Sequence, residues 1–216
     1  MINYWSILQL LKIYLKNTNL DEKNIDPDPI KQFNRWFQVA KKTRMIHPEA
    51  MTLATSTRDG KPSVRVLLLK GVIDSKFIFF TNYQSSKAKE IEVNPYGALL
   101  FYWEKLERQV RIKGKIEKIT EKESEDYFKT RPKGSKLGAW ASPQSEVIPD
   151  RTFLEKNFKE FEEKYKNKEI PRPKHWGGYQ LTPSMLEFWQ GKPNRLHERI
   201  RYRSENGKWI IERLAP

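Results

Sequence analysis

The chain has no cysteine among its 216 residues. That excludes disulfides, thiol nucleophiles and thiolate metal sites together. Histidine is almost as scarce. His47, His175 and His197 are scattered with no i, i+4 pair, so a histidine metal site is not expected. Long apolar runs are missing too: no stretch reaches the ~20 residues of a membrane-spanning helix. The hydrophobic segment from Ile2 to Leu15 is broken by Lys12 and lacks both a basic leader and a small-residue cleavage site. A signal peptide is therefore not expected, and the protein is expected to be cytoplasmic with no membrane partner. Ser6, Gln9, Lys12 and Lys16 recur every three or four positions, the pattern of an amphipathic helix. Residues 1–27 read as an N-terminal arm and residues 28–216 as one domain.

What is abundant is positive charge, +14 net. Such an excess favours anionic partners. Lysine and arginine are nevertheless interleaved with acids, as in Glu121 to Glu125 and Glu155 to Lys168, with no basic tail or nucleic-acid motif. Nucleic acid is held only as a minor alternative.

Asp28-Pro29 opens a helix whose apolar face is Ile30, Phe33, Trp36, Phe37 and Ala40. From Met51 the pattern turns to β. Strands are expected over Met51 to Ser56, Ser63 to Gly71 and Lys76 to Thr81, the last two joined at Asp74-Ser75. A short helix from Ser85 to Val93 ends at Asn94-Pro95. Strands Gly97 to Trp103 and Glu107 to Ile119 follow, the second placing Val110, Ile112, Gly114 and Ile116 on one face. Helices Glu121 to Thr130 and Asp150 to Tyr165 come next, with Gly138-Ala139-Trp140-Ala141-Ser142 between them as a small-residue turn. β structure resumes from Trp176 to Trp189, and Arg199 to Arg203 with Lys208 to Leu214 form a hairpin around Ser204-Glu205-Asn206-Gly207. The fold class is mainly β with flanking helices, a closed or nearly closed antiparallel barrel.

Several constellations suit a phosphorylated aromatic ligand. Glu187-Phe188-Trp189-Gln190-Gly191, followed by Arg195-Leu196-His197-Glu198-Arg199, combines ring, guanidinium and imidazole groups. The bland alternative is a basic edge strand facing water. Arg65-Val66-Leu67-Leu68-Leu69-Lys70 carries a cation at each end, but five positions apart these nominally face opposite sides. Only a bulge, or a lysine reaching round the strand end, lets both serve one site. Phe80-Thr81-Asn82 leads into Ser85-Ser86-Lys87 at a helix start, either a phosphate cradle or ordinary serine capping. Gln109 sits among Arg108 and Arg111, suited to a heterocycle edge or to solvent. Tyr127, Arg131 and Ser135 recur every four residues, and Gln144-Ser145 adds an amide and a hydroxyl.

In this order, from about Asp28 onward, these segments resemble the pyridoxine/pyridoxamine 5′-phosphate oxidases, FMN enzymes that make pyridoxal 5′-phosphate. Further matching runs are Glu107-Arg108-Gln109-Val110, Trp176-Gly177-Gly178 and Arg213-Leu214-Ala215-Pro216. The resemblance implies a split barrel and a homodimer with FMN at the subunit interface. It implies that Arg65 and Lys87 hold the FMN phosphate, within an FMN-binding set that also takes in Val66, Leu67, Leu68, Leu69, Lys70, Phe80, Ser86, Thr81, Gln109, Gln144, Ser145, Trp189 and Arg199. Lys70, Tyr127, Arg131 and Ser135 would grip the phosphate of pyridoxamine or pyridoxine 5′-phosphate. Arg195, Leu196 and His197 would lie against the pyridine ring, with Arg195 and His197 the catalytic pair. Hydride would pass from C4′ to flavin N5, and O2 would reoxidise the flavin to give H2O2.

Three positions depart from the family pattern. Ser86 replaces arginine in a Ser-Arg-Lys triplet, Phe80 replaces a frequent tyrosine, and Lys12-Ile13-Tyr14-Leu15 is the nearest counterpart of an Arg-Arg-Glu-Tyr lid. Weaker FMN binding and a looser lid are expected. The competing reading is a non-catalytic carrier of flavin or pyridoxal 5′-phosphate on the same fold.

Overall fold

The computed structural model describes residues 20–21 and 23–216. The N-terminal amphipathic helix and the lid counterpart lie outside the described residues. Nine antiparallel strands make one sheet: β1 (Ala50–Ser56), β2 (Pro62–Leu68), β3 (Gly71–Ile73), β4 (Lys76–Asn82), β5 (Tyr96–Trp103), β6 (Arg108–Lys118), β7 (Trp176–Gln190), β8 (Glu198–Glu205) and β9 (Lys208–Arg213). The order is β2-β1-β5-β6-β7-β4-β3, with β8 on β7 and β9 on β8. β6 pairs with β7 over most of its length, while β4 takes residues 176–181 of β7 and β8 takes residues 185–190. Two ladders thus share one long strand, which is how the barrel is split. No helix among the described residues is long and apolar enough to cross a membrane.

The periodicities explain the elements. Asp28 caps helix Pro29–Lys41 through Oδ1, accepting from the Ile30 and Lys31 amides. That helix buries Phe33 and Trp36 completely against Phe77, Phe101, Trp103 and Phe188. Truncating an aromatic side chain in such a position costs about 3–5 kcal/mol. β6 alternates as expected, with Val110, Ile112 and Ile116 buried. Asp74-Ser75 and Asn206-Gly207 turn their hairpins with positive φ at both central residues, as the right-handed twist of paired strands demands.

Two expectations need correction. The stretch from Ser63 to Gly71 is not one strand: β2 stops at Leu68, and Leu69-Lys70 form a break before β3. There the Leu69 amide donates to Glu49 and the Lys70 amide to Ile78, so the backbone switches partner strand. Gly138 to Ser142 is not a turn but the end of a helix, Lys133–Ala141, starting directly after Pro132. Its two glycines disguise it, yet Leu137 and Ala141 bury themselves on one face. Leu137 joins Phe128, Ile170 and Trp176 in a second apolar cluster, against which helix Arg151–Lys164 lays Phe158 and Phe161.

Candidate active site

Beside the β2–β3 break, helices Glu121–Thr130 and Lys133–Ala141 close over β4 to leave an open cleft of about 510 Å³. Three nearly parallel rings line it. Phe80 stacks on Tyr127 with centroids 3.9 Å apart and on Trp176 at 5.3 Å. Arg131, at the C-terminal cap of Glu121–Thr130, lies over Trp176 with its Cζ 4.4 Å from the ring centroid. Its Nη1 is buried and makes no hydrogen bond. Burial pushes the guanidinium pKa down, opposed by Tyr127. A buried donor without an acceptor costs about 1–3 kcal/mol, more when charged. Lys70, Tyr127 and Ser135 line the same cleft. The strand break answers the alternation problem, because Lys70 follows the end of β2 and is freed from its alternation.

A second cation lies deeper. Lys87 is only 7% exposed. Its Nζ donates to Ser85 Oγ at 3.1 Å and to Gln144 Oε1 at 3.2 Å, and Thr81 Oγ1 donates to the same Gln144 oxygen at 3.1 Å. Among the described residues no carboxylate lies within ion-pair distance of Lys87. Burial lowers its pKa first, then repulsion from Arg65, with Glu90 opposing. Ser85 occupies the N-cap position of helix Ser86–Val93, but its side chain does not cap: Oγ donates instead to the Asn82 carbonyl. Ordinary serine capping is therefore not its role. Arg65 donates through Nη2 to Glu90 Oε2 at 3.2 Å and through Nη1 to Thr55 Oγ1. Glu90 also accepts from Ser63 at 2.7 Å and from Thr55.

The remaining expected residues gather elsewhere. Gln109, Trp189 and Arg199 are register partners across β6, β7 and β8. The His197 ring packs on Trp189 at 4.7 Å, and the Lys192 amide donates to His197 Nδ1 at 3.2 Å. In the neutral ring Nε2 then carries the proton. Arg195 and Leu196 are exposed beside it, Arg195 with a left-handed φ of 61°. β8 is paired on both sides, so the bland reading as an edge strand fails. Arg199 is engaged: Nε and Nη2 donate to the buried Glu187, and Nη1 donates to the Ala215 carbonyl.

The structure thus brings Leu67, Lys70, Phe80, Thr81, Tyr127, Arg131, Ser135 and Gln144 to one cleft; Lys87 joins it through its bond to Gln144, and Arg65 acts on it only through its charge beside Lys87. It does not bring Gln109, Trp189, Arg195, Leu196, His197 or Arg199 there. Val66 is 67% exposed, Leu69 is buried in the core, Leu68 ends β2, Ser86 is exposed at the first turn of its helix, and Ser145 is exposed with φ 73°. Sequence reasoning missed Glu90, whose signal was a carboxylate one helical turn after Lys87.

Architecture and cleft define a split-barrel protein with an anion-receptive site lined by stacked aromatic rings. The chain belongs to the pyridoxamine 5′-phosphate oxidase family, whose model matches residues 39–165; a pyridoxine 5′-phosphate oxidase C-terminal dimerisation region matches residues 176–216. It is similar to a pyridoxine/pyridoxamine 5′-phosphate oxidase of Cyanothece sp., 50% identical over 211 residues that cover 98% of this chain and 99% of that one. The corresponding protein of Nostoc punctiforme is 54% identical over 198 residues, covering 91% and 92%. Among solved structures, PhzG from Burkholderia lata, in complex with tetrahydrophenazine-1-carboxylic acid, aligns with a TM-score of 0.84 at 31% identity over 88% of this chain and 94% of that one.

Proposed function

We propose that the protein is an FMN-dependent oxidase that converts pyridoxamine or pyridoxine 5′-phosphate to pyridoxal 5′-phosphate with reduction of O2, and that it acts as a homodimer. The observation that carries this reading is the buried, unpartnered Nη1 of Arg131, in a cleft also lined by Lys70, Tyr127 and Ser135. A phosphate supplies acceptors for that donor, and a pyridine ring suits a wall of stacked aromatics.

The chain's residues also fit FMN. Lys87 is a buried cation held by neutral oxygens and lacking a carboxylate partner, which is what a cofactor phosphate would complement. When bound, FMN supplies the two-electron acceptor that takes hydride from the substrate and passes the electrons to O2. The protein's part is placement. Arg65 and Lys87 hold the cofactor phosphate, and Thr81 and Gln144 steady the Lys87 ammonium. Lys70, Tyr127, Arg131 and Ser135 anchor the remote end of the substrate, so binding energy there orients the reacting carbon. Arg195 covers the ring and excludes water, and His197, with Nδ1 already accepting, offers Nε2 to orient the substrate or move a proton.

A length supports dimerisation. Trp176 and Trp189 stand thirteen residues apart on β7. At ~3.3 Å per residue this is about 40 Å along the strand. That span argues against one ligand touching both sets of residues in one protomer, whereas a two-fold related copy can lend its Arg195–His197 end to the cleft.

The test is an anaerobic spectrum of FMN-reconstituted protein mixed with pyridoxamine 5′-phosphate. Flavin bleaching, followed by pyridoxal 5′-phosphate on admission of air, is expected. A flavin that stays oxidised would leave a carrier; bleaching by tetrahydrophenazine-1-carboxylic acid instead would move the chain toward the ligand that PhzG binds.

A further inference from the structure

A carboxylate stands where the surrounding residues are arranged for an anion. Glu90 lies on the face of helix Ser86–Val93 that meets β1 and β2, and its side chain is 12% exposed. It accepts from Thr55, Ser63 and Arg65, one residue on β1 and two on β2. A carboxylate beside a phosphate would repel it, and this one nevertheless sits one helical turn from Lys87. Its hydrogen bonds show what it holds. Without Glu90, Arg65 would keep only Thr55 Oγ1 and the long contacts of 3.4 Å to Leu53 O and 3.5 Å to Ser63 O. Nothing else described here would fix its second guanidinium nitrogen. Arg65 would also repel Lys87 without compensation, since Arg65 and Glu90 are the charged groups that face Lys87.

We propose that Glu90 is a positioning residue for the FMN phosphate, acting through Arg65: it fixes the guanidinium fork and offsets the repulsion between the two cations that share the phosphate. This rests on the proposed FMN reading. With serine at position 86, Arg65 and Lys87 carry that site, so the placement of Arg65 weighs more heavily in this chain.

The experiment compares FMN with riboflavin, which has the same ring and no phosphate, in fluorescence titrations of the full-length apoprotein. Wild type is expected to prefer FMN strongly. Glu90→Gln is expected to weaken FMN about tenfold, the scale of one charge-assisted hydrogen bond, and to leave riboflavin unchanged. In an Arg65→Ala background, Glu90→Gln is expected to add nothing, and Glu90→Asp is expected to recover part of the loss. Equal weakening of both ligands would make Glu90 merely structural, and tighter FMN binding by Glu90→Gln would show simple repulsion; either overturns the inference. A wild type that binds neither flavin would defeat the FMN reading itself. Circular dichroism of each variant separates these outcomes from misfolding.

Discussion

Replacing Arg131 by methionine should separate function from stability. The guanidinium is stacked on Trp176, its Nη1 has no hydrogen bond, and burial lowers its pKa. In the ligand-free protein it is therefore a desolvated cation whose cost is only partly offset by the ring contact. Methionine keeps the stem and can pack on the indole. Stability of the ligand-free protein should then stay within about 1 kcal/mol of wild type. Substrate binding loses far more. Two charge-assisted bonds to a phosphate contribute about 3–6 kcal/mol together. At ~1.4 kcal/mol per factor of ten, kcat/KM for pyridoxamine 5′-phosphate should fall at least about a hundredfold. The assay is steady-state oxidation of pyridoxamine 5′-phosphate beside unphosphorylated pyridoxamine, with thermal denaturation of each protein. Pyridoxamine should react no worse with the variant than with wild type. Equal losses on both substrates, or a large fall in melting temperature, would refute the reasoning and make Arg131 a packing residue.

Three further outcomes follow. Because burial and Arg65 lower the Lys87 pKa below 10.5, FMN affinity should be full below the lowered value and lost as pH rises through it; Lys87→Arg should carry the loss to higher pH, read by flavin fluorescence. The ligand-free protein should instead gain stability with rising pH over that window, since the unfolded chain holds the proton longer. A Cβ on Gly114 would lie 2.1 Å from the Thr182 carbonyl oxygen, whereas one on Gly97 would first meet the flexible Ile116 Cδ1 at 2.6 Å. Gly114→Ala should therefore lower the melting temperature well beyond Gly97→Ala in calorimetry. If the protein is the proposed homodimer, Lys70→Ala and His197→Asn should each abolish activity and regain about a quarter of the wild-type value when unfolded and refolded together, half the dimers then being mixed with one intact site each.

The strands and the long helices were legible because their apolar periods are regular: Val110, Ile112 and Ile116 in β6, and Ile30, Phe33 and Phe37 in Pro29–Lys41, each repeat on one buried face. Lys133–Ala141 escaped because Gly134 and Gly138 speak for a turn, while tertiary packing of Leu137 decides for a helix. The cations of the cleft could be read as residue types, but not their juxtaposition. Alternation set Lys70 against Arg65, and only the backbone break after Leu68 frees it. That Gln109 and His197 lie far from Arg131 was equally invisible, being a property of one strand's length.

β7 acts as a ruler. Trp176 faces one site and Trp189 the other, with Phe188 and Leu186 in the core between sheet faces. Deleting a residue between the two tryptophans, other than Ser184, which is the extra residue of a bulge between Pro183 and Met185, would turn one of them to the opposite face while leaving its partner in place. Change in chain length is thereby confined to that bulge and to the connections that precede the strand, such as the segment around Glu146 and the one around Asn167, where the chain is exposed. The loops of this chain can lengthen freely, but the interval from Trp176 to Trp189 can give up a residue only at its bulge.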